Sequence, residues 1–128
     1  MSTVCRRTDM KQKRILIADD EEMIRMLIRM VLGEDYDFNE AGDGEEAWQK
    51  IISADPPFDL VLLDLSMPRV GGEELLQRIL ARDPRARVIL LTGRLGYIGG
   101  SHPLVKVISK PFDNADLAKQ VQDLLSAP

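Results

Sequence analysis

One cysteine, one histidine and one tryptophan are all that this 128-residue chain contains of three chemically versatile residue types. The lone Cys5 can close no internal disulfide, which points to a reducing compartment and a spare surface thiol. With no cluster of cysteine and histidine, zinc is not expected. No stretch is apolar for as many as about 18 residues, and the opening MSTVCRRTDMKQK has positive charges without an apolar signal-peptide core. A cytoplasmic protein without a membrane span is therefore expected. Basic charge is not in excess either: 17 Lys and Arg against 21 Asp and Glu leave a formal net charge of -4. Such a balance gives no support to wholesale nucleic-acid binding, which leans on a basic face.

The chain does contain short apolar runs that alternate with helical patterns. Residues 1–13 read as a flexible leader and residues 14–126 as one domain. RILIADD, FDLVLLD and ARVILLT are apolar runs that suit strands buried on both faces, each stopping at a polar residue. YDFNEA and VKVIS complete a set of five. Helical spacing is carried by EEMIRMLIRMVLG, with Gly33 as its C-cap, by GEEAWQKIIS and by GGEELLQRILARDP. DNADLAKQVQDLLS adds a last helix with Asp113 as its N-cap. In the first helix Met23, Met26, Leu27, Met30 and Val31 recur at helical spacing and are expected to line the core; an adaptable methionine groove is the other reading. Trp48 is expected to be half-buried.

Alternating strands and helices imply a parallel sheet with helices on both faces, because parallel connections need right-handed crossovers. In such sheets the site lies beyond the carboxyl ends of the strands. Those ends carry Asp19 and Asp20, then Asp64, then Thr92, with Lys110 just after the fifth strand. Carboxylates 4 Å apart repel by about 4 kcal/mol per pair at an effective dielectric near 20, so a cation must answer them. An oxygen-only, half-open site suits Mg2+. A carboxylate can also act as a nucleophile toward a phosphoryl group, and Asp64, alone at the end of the most apolar strand, is the candidate. Asp19 and Asp20 are left to hold the metal. Lys110 supplies a second cation, the Thr92 hydroxyl can donate to a phosphoryl oxygen, and Gly93 leaves room for the incoming group.

ILIADDEE, DLVLLDLSMPRVGGEEL, VILLTG and ISKPF, in this order and spacing, resemble the receiver domain of two-component response regulators from about Arg14 onward. The resemblance implies a doubly wound α/β fold of flavodoxin type, with strand order 2-1-3-4-5. It implies Mg2+ on Asp19, Asp20, Asp64 and the backbone carbonyl of Ser66, and phosphoryl transfer to Asp64 from a histidine kinase or a histidine phosphotransfer protein. Thr92 and Lys110 would sense the phosphoryl group, and the Lys110–Pro111 bond would be cis. The kinase would dock on the first helix, near Arg25 and Arg29, and on the loop after strand five. His102 reads as a surface residue, because the donor histidine belongs to the partner. Arg94 and Ser66 would flank the path of a hydrolytic water, with a solvated arginine and a turn serine as the open alternatives.

The pattern departs from the family between Thr92 and Lys110. Residues 93–104 contain four glycines and one proline. Each internal glycine costs a helix about 1 kcal/mol and a proline about 3 kcal/mol, so a loop is expected where the family has its fourth helix. The position of the usual switch aromatic is Val107, and Tyr97 is the nearby aromatic, so the expected switch set is Gly93, Arg94, Tyr97 and Val107. Phosphorylation would act by ordering this loop. No output domain follows in this sequence, so the expected output is contact with a downstream protein, or passage of the phosphoryl group. The chain is not expected to be an enzyme. An aspartate-nucleophile phosphatase would need an acid where Ser66 stands, and a nucleotide binder would need a phosphate-cradling loop where DDEE stands. A receiver-like interaction module regulated without phosphorylation is the alternative.

Overall fold

A computed structural model describes residues 12–67, 69–93 and 103–127. Strands β1 (Lys13–Ala18), β2 (Tyr36–Ala41), β3 (Leu60–Asp64), β4 (Val88–Thr92) and β5 (Val105–Ser109) pair in parallel in the order β2-β1-β3-β4-β5. The described helices are α1 (Glu22–Leu32), α2 (Gly44–Ser53), α3 (Gly72–Arg82) and α4 (Asn114–Ser126). Flavodoxin-like topology and strand order are as the resemblance implied. β1 starts at Lys13, so the expected leader over 1–13 gives way to the sheet one residue early. The loop expected in place of a fourth helix falls largely on residues 94–102, outside the described residues, as do Arg94, Tyr97 and His102.

The apolar runs are continuous because each central strand is covered twice. Leu16, Ala18, Val61, Leu63, Val88 and Leu90 pack with Ala47 of α2 and Leu75, Leu76 and Ile79 of α3. Their neighbours in sequence, Ile15, Ile17, Leu60, Leu62, Ile89 and Leu91, face the other way onto Ile28 and Leu32 of α1 and Leu117, Val121 and Leu124 of α4. Adjacent strand residues point to opposite faces, so a strand sandwiched between helices is apolar at each position before its carboxyl end. Caps set the helix ends. The Asp113 side chain accepts from the backbone N–H of Ala115 and Asp116, and Asp43 accepts from that of Glu46. Gly33 closes α1 with its N–H on the carbonyl of Arg29.

The methionines of α1 do not line the core. Met23 is 80% exposed and Met30 76%, with Met26 and Leu27 also exposed. The helix turns Ile24, Ile28, Val31 and Leu32 to the sheet instead. Its sequence EMIRMLIRMVL holds apolar residues on nearly every side, so two overlapping stripes have helical spacing. The branched one packs against the sheet, and the flexible one faces solvent. Ile28→Ala is therefore expected to cost about 2–5 kcal/mol. Met30→Gln is expected to change stability by no more than about 0.5 kcal/mol. Urea denaturation midpoints at an unchanged slope check both.

Candidate functional site

The sheet register brings the polar strand ends together. Ala18 pairs with Leu63, Asp64 with Leu91 and Thr92 with Ser109, so Asp19, Asp64, Thr92 and Lys110 emerge at adjacent places on one edge. Asp19 is fully buried, Asp64 is 3% exposed and Thr92 2%. The Asp19 N–H donates to the carbonyl of Ala41 at 3.0 Å, one step beyond the end of the β1–β2 ladder. Glu21 N–H donates to Asp19 Oδ1 at 2.8 Å, and Ser66 N–H to Asp64 Oδ1 at 3.2 Å. At the other end of the row, Lys110 N–H donates to the carbonyl of Thr92 at 2.7 Å.

The segment after Asp64 is held by two glycines. A Cβ on Gly44 would lie 1.8 Å from the carbonyl oxygen of Val70, and one on Gly72 would lie 2.5 Å from Leu65 Cα and 2.6 Å from the carbonyl oxygen of Asp64. Only glycine lets the first turns of α2 and α3 approach this loop so closely. The segment after Asp64 is thereby pressed at Asp64 and Leu65 by the start of α3 and at Val70 by the start of α2. A Cβ on Gly93 would instead meet nothing within 4 Å among the described residues, and Val107 is half-buried against the cluster under α2 and α3. The Lys110–Pro111 bond is cis, and so is Asp55–Pro56.

Lys110 crosses the crevice. Its Nζ lies 3.0 Å from Asp19 Oδ2, 3.5 Å from Asp64 Oδ1 and 3.8 Å from Glu21 Oε1. Burial pushes the Asp64 carboxyl above its ordinary value, and the charges of Asp19 and Asp20 add to this; the Ser66 N–H and Lys110 oppose it. Burial by itself would lower the Lys110 pKa, but the hydrogen bond to Asp19 and the charges of Asp19, Asp64 and Glu21 outweigh it and leave the ammonium held above its ordinary value. Oxygens of Asp19, Asp20 and Glu21 lie within 4.8 Å of one another. The sequence reading did not select Glu21. Its signal was the run DDEE, where the third acid was read as the start of a helix.

This donor set contains only hard oxygens, beside a buried carboxylate that already attracts positive charge, and it fits a divalent cation such as Mg2+. In metal-free buffer the raised Asp64 pKa has a definite sign. The unfolded carboxyl ionises more readily than the folded one, so above its ordinary value of 3.8 the folded state bears a cost, and below that value the cost disappears. Asp64→Asn is expected to raise the Tm at pH 7 by about 3–6 °C, the shift that about 1 kcal/mol gives a domain of this size. Thermal melts with a chelator, repeated toward pH 3, should see the gain shrink.

The description "Response regulator receiver domain" belongs to the family model that matches residues 15–122. Among curated proteins, the chain is 48% identical over 58 residues to the transcriptional regulatory protein ResD of Bacillus subtilis, covering 44% of this chain and 23% of that protein. It is 40% identical over 57 residues to the chemotaxis protein CheY of Halobacterium salinarum, covering 44% and 46%. The aligned stretch thus spans less than half the length of either relative. Among solved structures, a CheY-like receiver domain protein from Methanospirillum hungatei superposes with a TM-score of 0.77 at 28% identity, covering 90% of this chain and 94% of that one. A response regulator structure from Chloroflexus aurantiacus gives 0.80 at 26%, covering 91% and 100%. With the family model spanning most of the chain and the five-stranded parallel order matched by these structures, the chain belongs to the receiver domains of response regulators.

Proposed function

We propose that Asp64 is a phosphoacceptor, taking a phosphoryl group from the phosphohistidine of a histidine kinase or a histidine phosphotransfer protein. The observation that carries this reading is the Lys110 ammonium, 3.0 Å from Asp19 and 3.5 Å from Asp64 at the mouth of a buried acidic crevice. An Asp64 oxygen attacks phosphorus as the bond to the histidine nitrogen breaks, the bonding pair leaves with the imidazole ring, and an acyl phosphate remains on Asp64. Lys110, already beside the acceptor, needs only a short shift to reach a phosphoryl oxygen, and the Thr92 hydroxyl donates to another. Asp19, Asp20, Asp64 and the Ser66 carbonyl would hold Mg2+, which when bound neutralises charge on the transferred oxygens. The chain signals and is not an enzyme in its own right. It acts in the cytoplasm by contact with a downstream protein or by passing the phosphoryl group on. Gly93 and Val107 belong to the responding element, together with Arg94 and Tyr97, whose places lie outside the described residues.

The methionine face of α1 refines the expected docking surface. Arg25 and Arg29 both pair with Glu40, each at 2.9 Å, and Arg25 is largely buried while Arg29 keeps an exposed flank. Met23, Met26, Leu27 and Met30 are exposed, and a groove lined by Leu27, Met30, Val31, Asn114, Ala115 and Ala118 runs from α1 to the start of α4. Adaptable thioethers along a helix that begins at the acidic crevice suit the apolar flank of a histidine-bearing helix.

Incubation with Mg2+ and radiolabelled phosphohistidine kinase, or with acetyl phosphate, should label the wild type and not Asp64→Asn. Label absent from the wild type, or retained in the variant, would remove this reading. Met30→Glu should slow transfer from phosphohistidine about tenfold, a loss of about 1.4 kcal/mol in transition-state stabilisation. Its labelling by acetyl phosphate should match the wild type, because the small donor needs no docking face.

A further inference from the structure

The carbonyl of Asp19 has lost its place in the sheet. The β1–β2 ladder ends at the pair Ala18–Ala41, and the chain after Ala41 turns through residues 42 and 43 into α2, so β2 offers no further N–H in register. A backbone acceptor at a buried residue still requires a donor. Here the donor is a side chain: Arg25 Nη1 donates to Asp19 O at 2.5 Å. Its Nε donates to Glu40 Oε1 at 2.9 Å, while Arg29 Nε binds the other oxygen of Glu40 at 2.9 Å. The Arg25 side chain is only 17% exposed. Both backbone groups of Asp19 are therefore tied to β2, the N–H directly through Ala41 and the C=O through Arg25 clamped on Glu40.

We propose that Arg25 is a positioning residue for the metal-binding acids, fixing the Asp19–Asp20 peptide so that both carboxylates leave the chain in the orientation that a divalent cation needs. The inference rests on the phosphoacceptor reading above. Asp20 follows the carbonyl that Arg25 holds, so rotation of that peptide would swing the exposed Asp20 side chain while buried Asp19 stays pinned by Lys110 and by the Glu21 N–H. The role is geometric, and the charge of Arg25 acts in the opposite direction. A cation beside the crevice repels Mg2+, so deletion of charge alone would tighten metal binding.

That opposition in sign makes the test decisive. Arg25→Lys keeps the charge but replaces a rigid fork by a single point that cannot hold Glu40 and the Asp19 carbonyl together. Arg29→Lys loses a bond to the same Glu40 but touches nothing at Asp19. Titration calorimetry with Mg2+ and the Mg2+ dependence of acetyl phosphate labelling are measured on both, with melts in chelator as a measure of folding. Arg25→Lys is expected to weaken Mg2+ about tenfold, at the low end for partners that orient metal ligands, and to raise the Mg2+ concentration for half-maximal labelling in proportion. Its rate at saturating Mg2+ should remain near that of the wild type, and Arg29→Lys should bind Mg2+ as the wild type does. If Arg25→Lys does not fold, Glu40→Asp, which keeps the charge but shortens the same clamp, is expected to weaken Mg2+ in the same direction. An Arg25→Lys affinity within twofold of wild type, or equal weakening by Arg29→Lys, overturns the inference and leaves the phosphoacceptor reading intact. A wild type that binds no Mg2+ and labels no better with it overturns the metal assignment itself.

Discussion

The Lys110 ammonium sits among carboxylates that would not otherwise share a crevice. Asp19 is fully buried and Asp64 nearly so, and burial first, with the charges of Asp19 and Asp20 behind it, holds the Asp64 pKa above its ordinary value. Like charges at such separations repel by several kcal/mol at an intermediate dielectric, so one mobile cation on a flexible stem is what lets both acids stay at the sheet edge. The arrangement is poised. On the proposed function, a divalent cation and a phosphoryl group together would bring the charges that free the lysine from Asp19, so that the group holding the resting site together would also meet the incoming phosphoryl oxygen. Cohesion of the crevice and its chemistry thus draw on the same ion pair.

Register makes the crevice possible. Each strand of the central sheet runs parallel and stops within a residue of its neighbour, so polar residues that are far apart in sequence become lateral neighbours. The two core clusters act as the rigid support: alternate strand residues bind opposite helix pairs, and no strand can slip by one residue without turning its whole face over. Gly44 and Gly72 then let α2 and α3 press on the segment after Asp64.

Tension between local pattern and tertiary packing is clearest in α1. Helical spacing is real for Met23, Met26, Leu27 and Met30, but it is equally real for Ile24, Ile28, Val31 and Leu32, and periodicity cannot choose between two stripes of one wide apolar face. Packing chose the branched set, and left four flexible side chains exposed to solvent. The resemblance implied a docking surface near Arg25 and Arg29. Glu40, on a different element, takes both, and nothing in the spacing of Arg25 to Glu40 announces that they meet.

By itself the sequence determined the sheet, its two-sided burial, the helix caps at Asp113 and Gly33, and the identity of the polar residues at the strand ends. Those features depend on short-range rules: alternation along a strand, spacing along a helix and the hydrogen-bonding needs of helix ends. What only the tertiary structure decided was which stripe of α1 meets the sheet, how near Glu21 comes to Asp19 and Asp20, and that Arg25 completes the hydrogen bonding of a carbonyl stranded past the end of a ladder. Each of these depends on distances between separate elements, and such distances are fixed by packing and register and leave no periodic mark on the chain.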